Sequence, residues 1–220
     1  MKILTSPSSG SIAGSTYSHN RAGQYVRNRR SPTQPVGTGR RGVIRAAFGA
    51  ASTAWASLSQ SVQAAWTSYA AGHPYSDSLG QSIKLTGHQM YVAINTMLIN
   101  CGVAQSASIP VSDSVFSAQF TAFTAVHAGA ITLTPSGLGA VGDHLLVALS
   151  APQSGGRSFC KTFWQQTALA GNSVAATVLT TAYVAQFGAV QAGQRIFYRL
   201  TPVNQYGVRG NSNEGFIVVT

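Results

Sequence analysis

The hydrophobic pattern changes period once along the chain, and that change limits the possible folds more than any other feature. From Val43, apolar residues recur at Ile44, Phe48, Trp55, Leu58, Val62, Trp66 and Tyr69. These positions lie mostly three, four or seven apart, the spacing of one buried stripe on a helix. Ser59 is placed to cap a second helix within the run, and Gly72 and Pro74 end it. Another helix starts at Thr86, because Thr86-Gly87-His88-Gln89 fits the capping box, in which the threonine oxygen and the glutamine side chain each accept from the other's backbone N–H. Met90, Ile94, Met97, Leu98 and Cys101 share one face, and Gly102 stops the helix.

Beyond residue 114 the period becomes two. It predicts strands over 116–126, 130–135, 144–151, 158–165, 173–180, 194–203 and 215–220, joined by turns such as SGLGAVGD, QSGG and NQYGVRG. Residues 181–190 leave room for one irregular turn. Residues 1–42 show neither period, carry repeated Gly, Ser and Pro, and contain few large apolar groups that could offset the entropy of ordering them. Fully extended at roughly 3.3 Å per residue they reach about 140 Å. The predicted class is a multidomain α+β chain: an extended basic arm over 1–42, a helical hairpin over 43–103, a linker over 104–114 and a β-sandwich over 115–220.

Charge is scarce and unevenly placed. Only 8% of residues are charged, against about 25% in an ordinary soluble domain, so the surface is made of Ala, Ser, Thr, Gly and Gln. Residues 1–76 hold eight basic side chains and no acid, for +8, whereas residues 77–220 sum to only +2. Seven arginines fall in the stretch HNRAGQYVRNRRSPTQPVGTGRRGVIR. Arginine suits bidentate pairing and aromatic stacking at protein interfaces. Arg21, Tyr25, Arg27, Arg29, Arg30, Arg40 and Arg41 are therefore the candidate interface of the arm, and Phe48, Trp55, Trp66 and Tyr69 that of the helices. The same arginines could neutralise phosphates, with Tyr17 and Tyr25 stacking on bases, so a nucleic-acid-binding accessory role is the first alternative.

Material for catalysis is thin. The acids are Asp77, Asp113, Asp143 and Glu214, each beside Ser, Gly or Asn in a predicted turn. His73 and Asp77 could share a metal, but no third ligand stands at a usual spacing. No G-x-S-x-G joins a strand to a helix, and neither GSIAGS nor GTGRRG follows a strand. Cys101 and Cys160 read as buried free thiols in a reducing compartment. No secretory leader opens the chain, and no apolar run of about 18 residues is present. The expectation is a non-enzyme with no cofactor, no metal, no membrane and no small-molecule substrate.

Two resemblances bear on fold and role. AGQRIFYRLTPVNQYGVRG followed by GFIVVT resembles the last two strands of a fibronectin type III or related Ig-like domain, and HLLVALSAP resembles a strand of its second sheet. The likeness implies that Ile196, Tyr198, Leu200 and Pro202 face the core, that Asn204 and Gly207 make the turn, and that Phe216 to Val219 close the sheet. The front segment, GSIAGSTYSHNRAGQYVRNRRSPTQPVGTGRRGVIRAAF with its tryptophan-containing helix, resembles structural proteins encoded among tailed-bacteriophage virion genes. That likeness covers about the first hundred residues. It implies a capsid, head-tail connector or tail component of the virion, assembled in the host cytoplasm against copies of itself and other virion proteins. A second alternative is host receptor or glycan binding by the sandwich, through Phe163, Trp164, Tyr183 and Tyr206.

Overall fold

The computed structural model describes residues 10–12, 15–20, 23–28, 40–76, 81–136 and 139–220. The chain divides into two compact units, Met1–Gly42 and Val43–Thr220. Within the first, strands β1 (Gly10–Ile12), β2 (Ser15–Asn20) and β3 (Gly23–Asn28) pair antiparallel in the order β1-β2-β3. The described part of the arm is thus a small meander, where a lone extended segment was expected. Thr16, Tyr17, Tyr25 and Val26 favour a pleated backbone, and pairing supplies the backbone hydrogen bonds that an isolated strand leaves to water.

Three helices follow, α1 (Arg40–Ser57), all but its first three residues in the second unit, then α2 (Gln60–Gly72) and α3 (Gly87–Asn100). Ser59 stands at the N-cap of α2 in extended backbone, yet its side chain makes no capping bond. Gln63 ties the corner to the end of α1, donating from Nε2 to the Trp55 carbonyl at 3.0 Å and to that of Leu58 at 3.4 Å. The capping box of α3 is complete, with Gln89 N–H on Thr86 Oγ1 and Thr86 N–H on Gln89 Oε1. Between α2 and α3 lies a two-stranded ladder, β4 (Tyr75–Ser76) with β5 (Ser82–Ile83). No helix of the described residues is long and apolar enough to cross a membrane.

Trp66, fully buried, centres the helical core, with Tyr91 edge-on at 5.3 Å and Ala51, Ala70, Met90 and Val92 around it. Gly87 lets α3 meet α2, because a Cβ there would stand 2.6 Å from Thr67 Oγ1 and 2.8 Å from its backbone nitrogen. Burial on α3 extends beyond the single face expected from its sequence, to Tyr91, Val92 and Asn95.

The remaining strands are β6 (Phe120–Ala125), β7 (Ile131–Pro135), β8 (His144–Leu149), β9 (Trp164–Ala170), β10 (Thr177–Val178), β11 (Arg195–Val203) and β12 (Asn213–Val218). They form one sheet of order β10-β7-β6 and another of order β12-β11-β8-β9. This corrects the expected Ig-like or fibronectin type III-like sandwich. Both sheets are open, neither closes or curls as that fold requires, and helix α4 (Thr180–Phe187) packs into the shared core. The class among the described residues is α+β with four helices. TTAYVAQF places Tyr183 and Phe187 four residues apart, a helical spacing within a β-rich region. Tyr183 is fully buried and donates to the Ser150 carbonyl at 2.9 Å. Leu133, Leu145, Val147, Leu149, Ile196 and Leu200 fill the rest of this core, with the even positions of β11 inward. The fourth sheet strand begins at Trp164, six residues later than its period suggested, and its ladder with β8 is irregular at Val147/Ala148.

Candidate functional site

Residues 104–114 run between the helices and the sheets, and single polar side chains hold them in place. Trp66 Nε1 donates to the Ala107 carbonyl at 2.8 Å. Asn95, fully buried, donates to the Ser106 carbonyl at 3.1 Å and accepts from its N–H at 2.7 Å. At the far end, Asn204 donates to the carbonyls of Ser112 and Ser114, while its oxygen accepts from the N–H groups of Tyr206 and Val208. One asparagine therefore shapes the β11–β12 turn and binds it to the connecting segment. Gly207 at the tip of that turn has φ +89°. A Cβ there would stand 2.8 Å from the Ile94 carbonyl oxygen, so only glycine lets the turn rest on α3.

These constraints leave a cleft of about 380 Å³ between the end of α2, the outer side of α3 and the β11–β12 turn. Met90, Ile94 and Met97 form its floor, Tyr69, His73 and Asp113 one wall, and Val208 and Arg209 the other. His73 stacks on Tyr69 with centroids 4.0 Å apart. Its Nε2 lies 2.6 Å from Asp113 Oδ2 and its Nδ1 lies 2.7 Å from the Tyr69 carbonyl oxygen. A carbonyl can only accept, so Nδ1 donates to Tyr69, and the Nε2–Asp113 hydrogen bond holds one proton between ring and carboxyl. The Tyr69 hydroxyl donates to Asp113 Oδ1. Burial, reinforced by the hydrogen bond and charge of Asp113, pushes the Tyr69 phenol well above its ordinary pKa. It remains a protonated donor at neutral pH.

Sequence reading placed Asp113 in a turn and missed this cluster, since its partners are 40 or more residues away. Asp77, the expected companion of His73, lies outside the described residues. Asp143 does serve as a turn residue, accepting from the N–H groups of Ala140 and Gln205, each at 2.8 Å. Glu214 does not. It stands on β12 and pairs with Arg199 Nε at 2.5 Å across the ladder. Cys160 is buried and Cys101 partly so, and neither is in a disulfide. Among the described residues no group of three or more His, Cys, Asp or Glu could hold a metal ion.

The candidate interface residues fall into several environments. Arg21, Arg29 and Arg30 lie outside the described residues, Tyr25 and Arg27 are on β3, and Arg40 and Arg41 open α1. Trp66 is wholly interior, Trp55 and Tyr69 are half-buried, and Phe48 is 57% exposed. Phe48 borders a second, mainly apolar groove with Leu85, His88, Val92 and Thr96. The four aromatic residues considered for glycan binding do not gather. Tyr183 is in the core, Trp164 packs on Phe187, Phe163 lies 4.3 Å beneath the Arg199 guanidinium, and Tyr206 is in the β11–β12 turn.

Comparison with known proteins finds no matching family model, no matching curated protein and no matching solved structure.

Proposed function

We propose that this chain is a non-enzymatic structural subunit of an assembled particle, and that the particle is the tailed-phage virion its N-terminal motif order resembles. The observation that carries the reading is the nature of the exposed surface. Phe48 is 57% exposed, Phe159 68% and Phe216 44%, on a protein with only 8% charged residues. Large apolar groups left in water on a surface poor in charge are the usual material of permanent contacts. The Tyr69–His73–Asp113 cluster supports the same view, because its side-chain hydrogen-bonding atoms face one another or the Tyr69 carbonyl and anchor the connecting segment. On this reading the basic first unit pairs with acidic patches of neighbouring subunits, and many copies supply interface area that one copy lacks.

The test is composition of purified phage particles by mass spectrometry, with and without residues 1–42 of this chain. The full chain should be present in many copies and the truncated chain should be missing. Absence of the full chain from particles, with a sedimenting monomer that binds DNA with a steep loss of affinity in salt, would instead favour the nucleic-acid role.

A further inference from the structure

We infer that the cleft between α2, α3 and the β11–β12 turn is a binding site for an aromatic group joined to a carboxylate. This goes beyond the structural-subunit reading and stands if that reading fails.

The body of the ligand follows from the floor and walls. Met90 and Met97 offer two polarisable thioethers beside Ile94, with the rings of Tyr69 and Tyr75 at the side. Thioethers and aromatic rings favour an aromatic guest over an aliphatic one of equal size. A volume of about 380 Å³ lies at the lower end of small-molecule sites, roughly 300–1,000 Å³. The walls are fixed in advance, one by Asp113 on Tyr69 and His73, the other by Asn204 and by Gly207 against Ile94. Little ordering remains to be done on binding.

The charge of the ligand follows from which ionic groups are already engaged. Both oxygens of Asp113 are engaged, Oδ1 by the Tyr69 hydroxyl and Oδ2 by His73 Nε2, and the one proton in the latter bond leaves the His73–Asp113 pair neutral whichever partner holds it. The remaining charge on the lining is Arg209. Of the four arginines in residues 101–220, Arg157 and Arg195 bind backbone carbonyls and Arg199 binds Glu214, while among the described residues the Arg209 guanidinium makes no such bond. A cation would meet Arg209 and find Asp113 occupied. A carboxylate completes the guanidinium's hydrogen bonding.

Methionine methyl NMR on the full chain gives a direct test, because Met90 and Met97 line the cleft. Titration with 3-phenylpropionate should shift the Met90 and Met97 methyl signals, with a Kd at least tenfold below that of 3-phenylpropanol. Arg209→Gln should erase that preference without altering the spectrum of the free protein. Ala93→Trp, from an exposed position of α3 on the cleft wall, should abolish binding of both compounds. N-acetyl-Phe-Asp-amide distinguishes the source: tighter binding than the free acid identifies a polypeptide segment, weaker binding a small molecule. Equal affinity for acid and alcohol, no shift with either, or binding that survives Ala93→Trp would each overturn the inference.

Discussion

The helical and sheet layers of the second unit are stabilised by different kinds of residue, and the difference decides which of them can hold the layers together. The sheet core is mostly aliphatic, with Leu133, Val147, Leu149, Ile196 and Leu200 fully buried. The helical core is aromatic, with Trp66, Tyr91, Trp55 and Tyr69 in ring contact. An aliphatic side chain contributes burial alone, whereas a tryptophan or tyrosine also carries a donor at its rim. Trp66 and Tyr69 use those donors on Ala107 and Asp113, so the helical core reaches the connecting segment directly.

The largest effects should come from emptying each core in turn. Trp66→Ala should cost about 3–5 kcal/mol and Leu200→Ala about 2–5 kcal/mol in urea unfolding. Size alone will not separate the two. Hydrogen exchange will, because Trp66→Ala should also expose the amide of Ser106 beside Ala107, while Leu200→Ala should leave it protected until global unfolding. Equal protection in both variants would break the distinction between the layers.

Next in size is the junction on the sheet side. Asn204→Ala leaves the Tyr206 and Val208 N–H groups and the Ser112 and Ser114 carbonyls without their partner. The expected loss is about 1–3 kcal/mol, with a lower denaturant midpoint and an unchanged slope. Gly207→Ala should fall in a similar range, about 1–3 kcal/mol, because it combines positive φ with a clash against Ile94. Gly193→Ala is the control: its φ is +79° but an added Cβ meets nothing within 4 Å. The difference between the two glycine variants measures the contact of the turn with α3.

Periodicity made most elements of both layers legible, and it did so because their burial is local and repetitive. The helical run from Val43, the capping box at Thr86 and the alternation of β11 are each decided by neighbours within a few residues. What joins the layers was not legible. Asp113 and Tyr69 are 44 residues apart and Asn204 and Ser112 are 92 apart, and nothing near any of them in sequence marks the pairing. Local competition explains other departures. Ser59 stands at the expected N-cap without a capping bond, and the corner is held from the other side by Gln63, whose side chain reaches two carbonyls at the end of α1. The α4 helix was hidden because threonine, tyrosine and valine in its sequence favour strands, and burial of Tyr183 and Phe187 on one helical side overrode that preference.

The smallest effect tests whether the sheet layer has a polar weakness of its own. His144 opens β8, next to Asp143, which binds the Gln205 N–H. Burial lowers its pKa from the ordinary 6.5, and the neighbouring Asp143 charge opposes that shift in part. The folded chain therefore prefers the neutral ring, while the unfolded chain takes up a proton near 6.5. Stability from this residue is complete above that pH, declines as the pH falls below it, and levels off beneath the lowered folded value. His144→Gln should flatten this part of the stability curve between pH 7 and pH 5, read as the wild-type-minus-variant difference in urea unfolding so that other titrating groups cancel. A difference that grows in favour of the wild type on acidification would reverse the sign, and would mean that Asp143 outweighs burial at the start of β8.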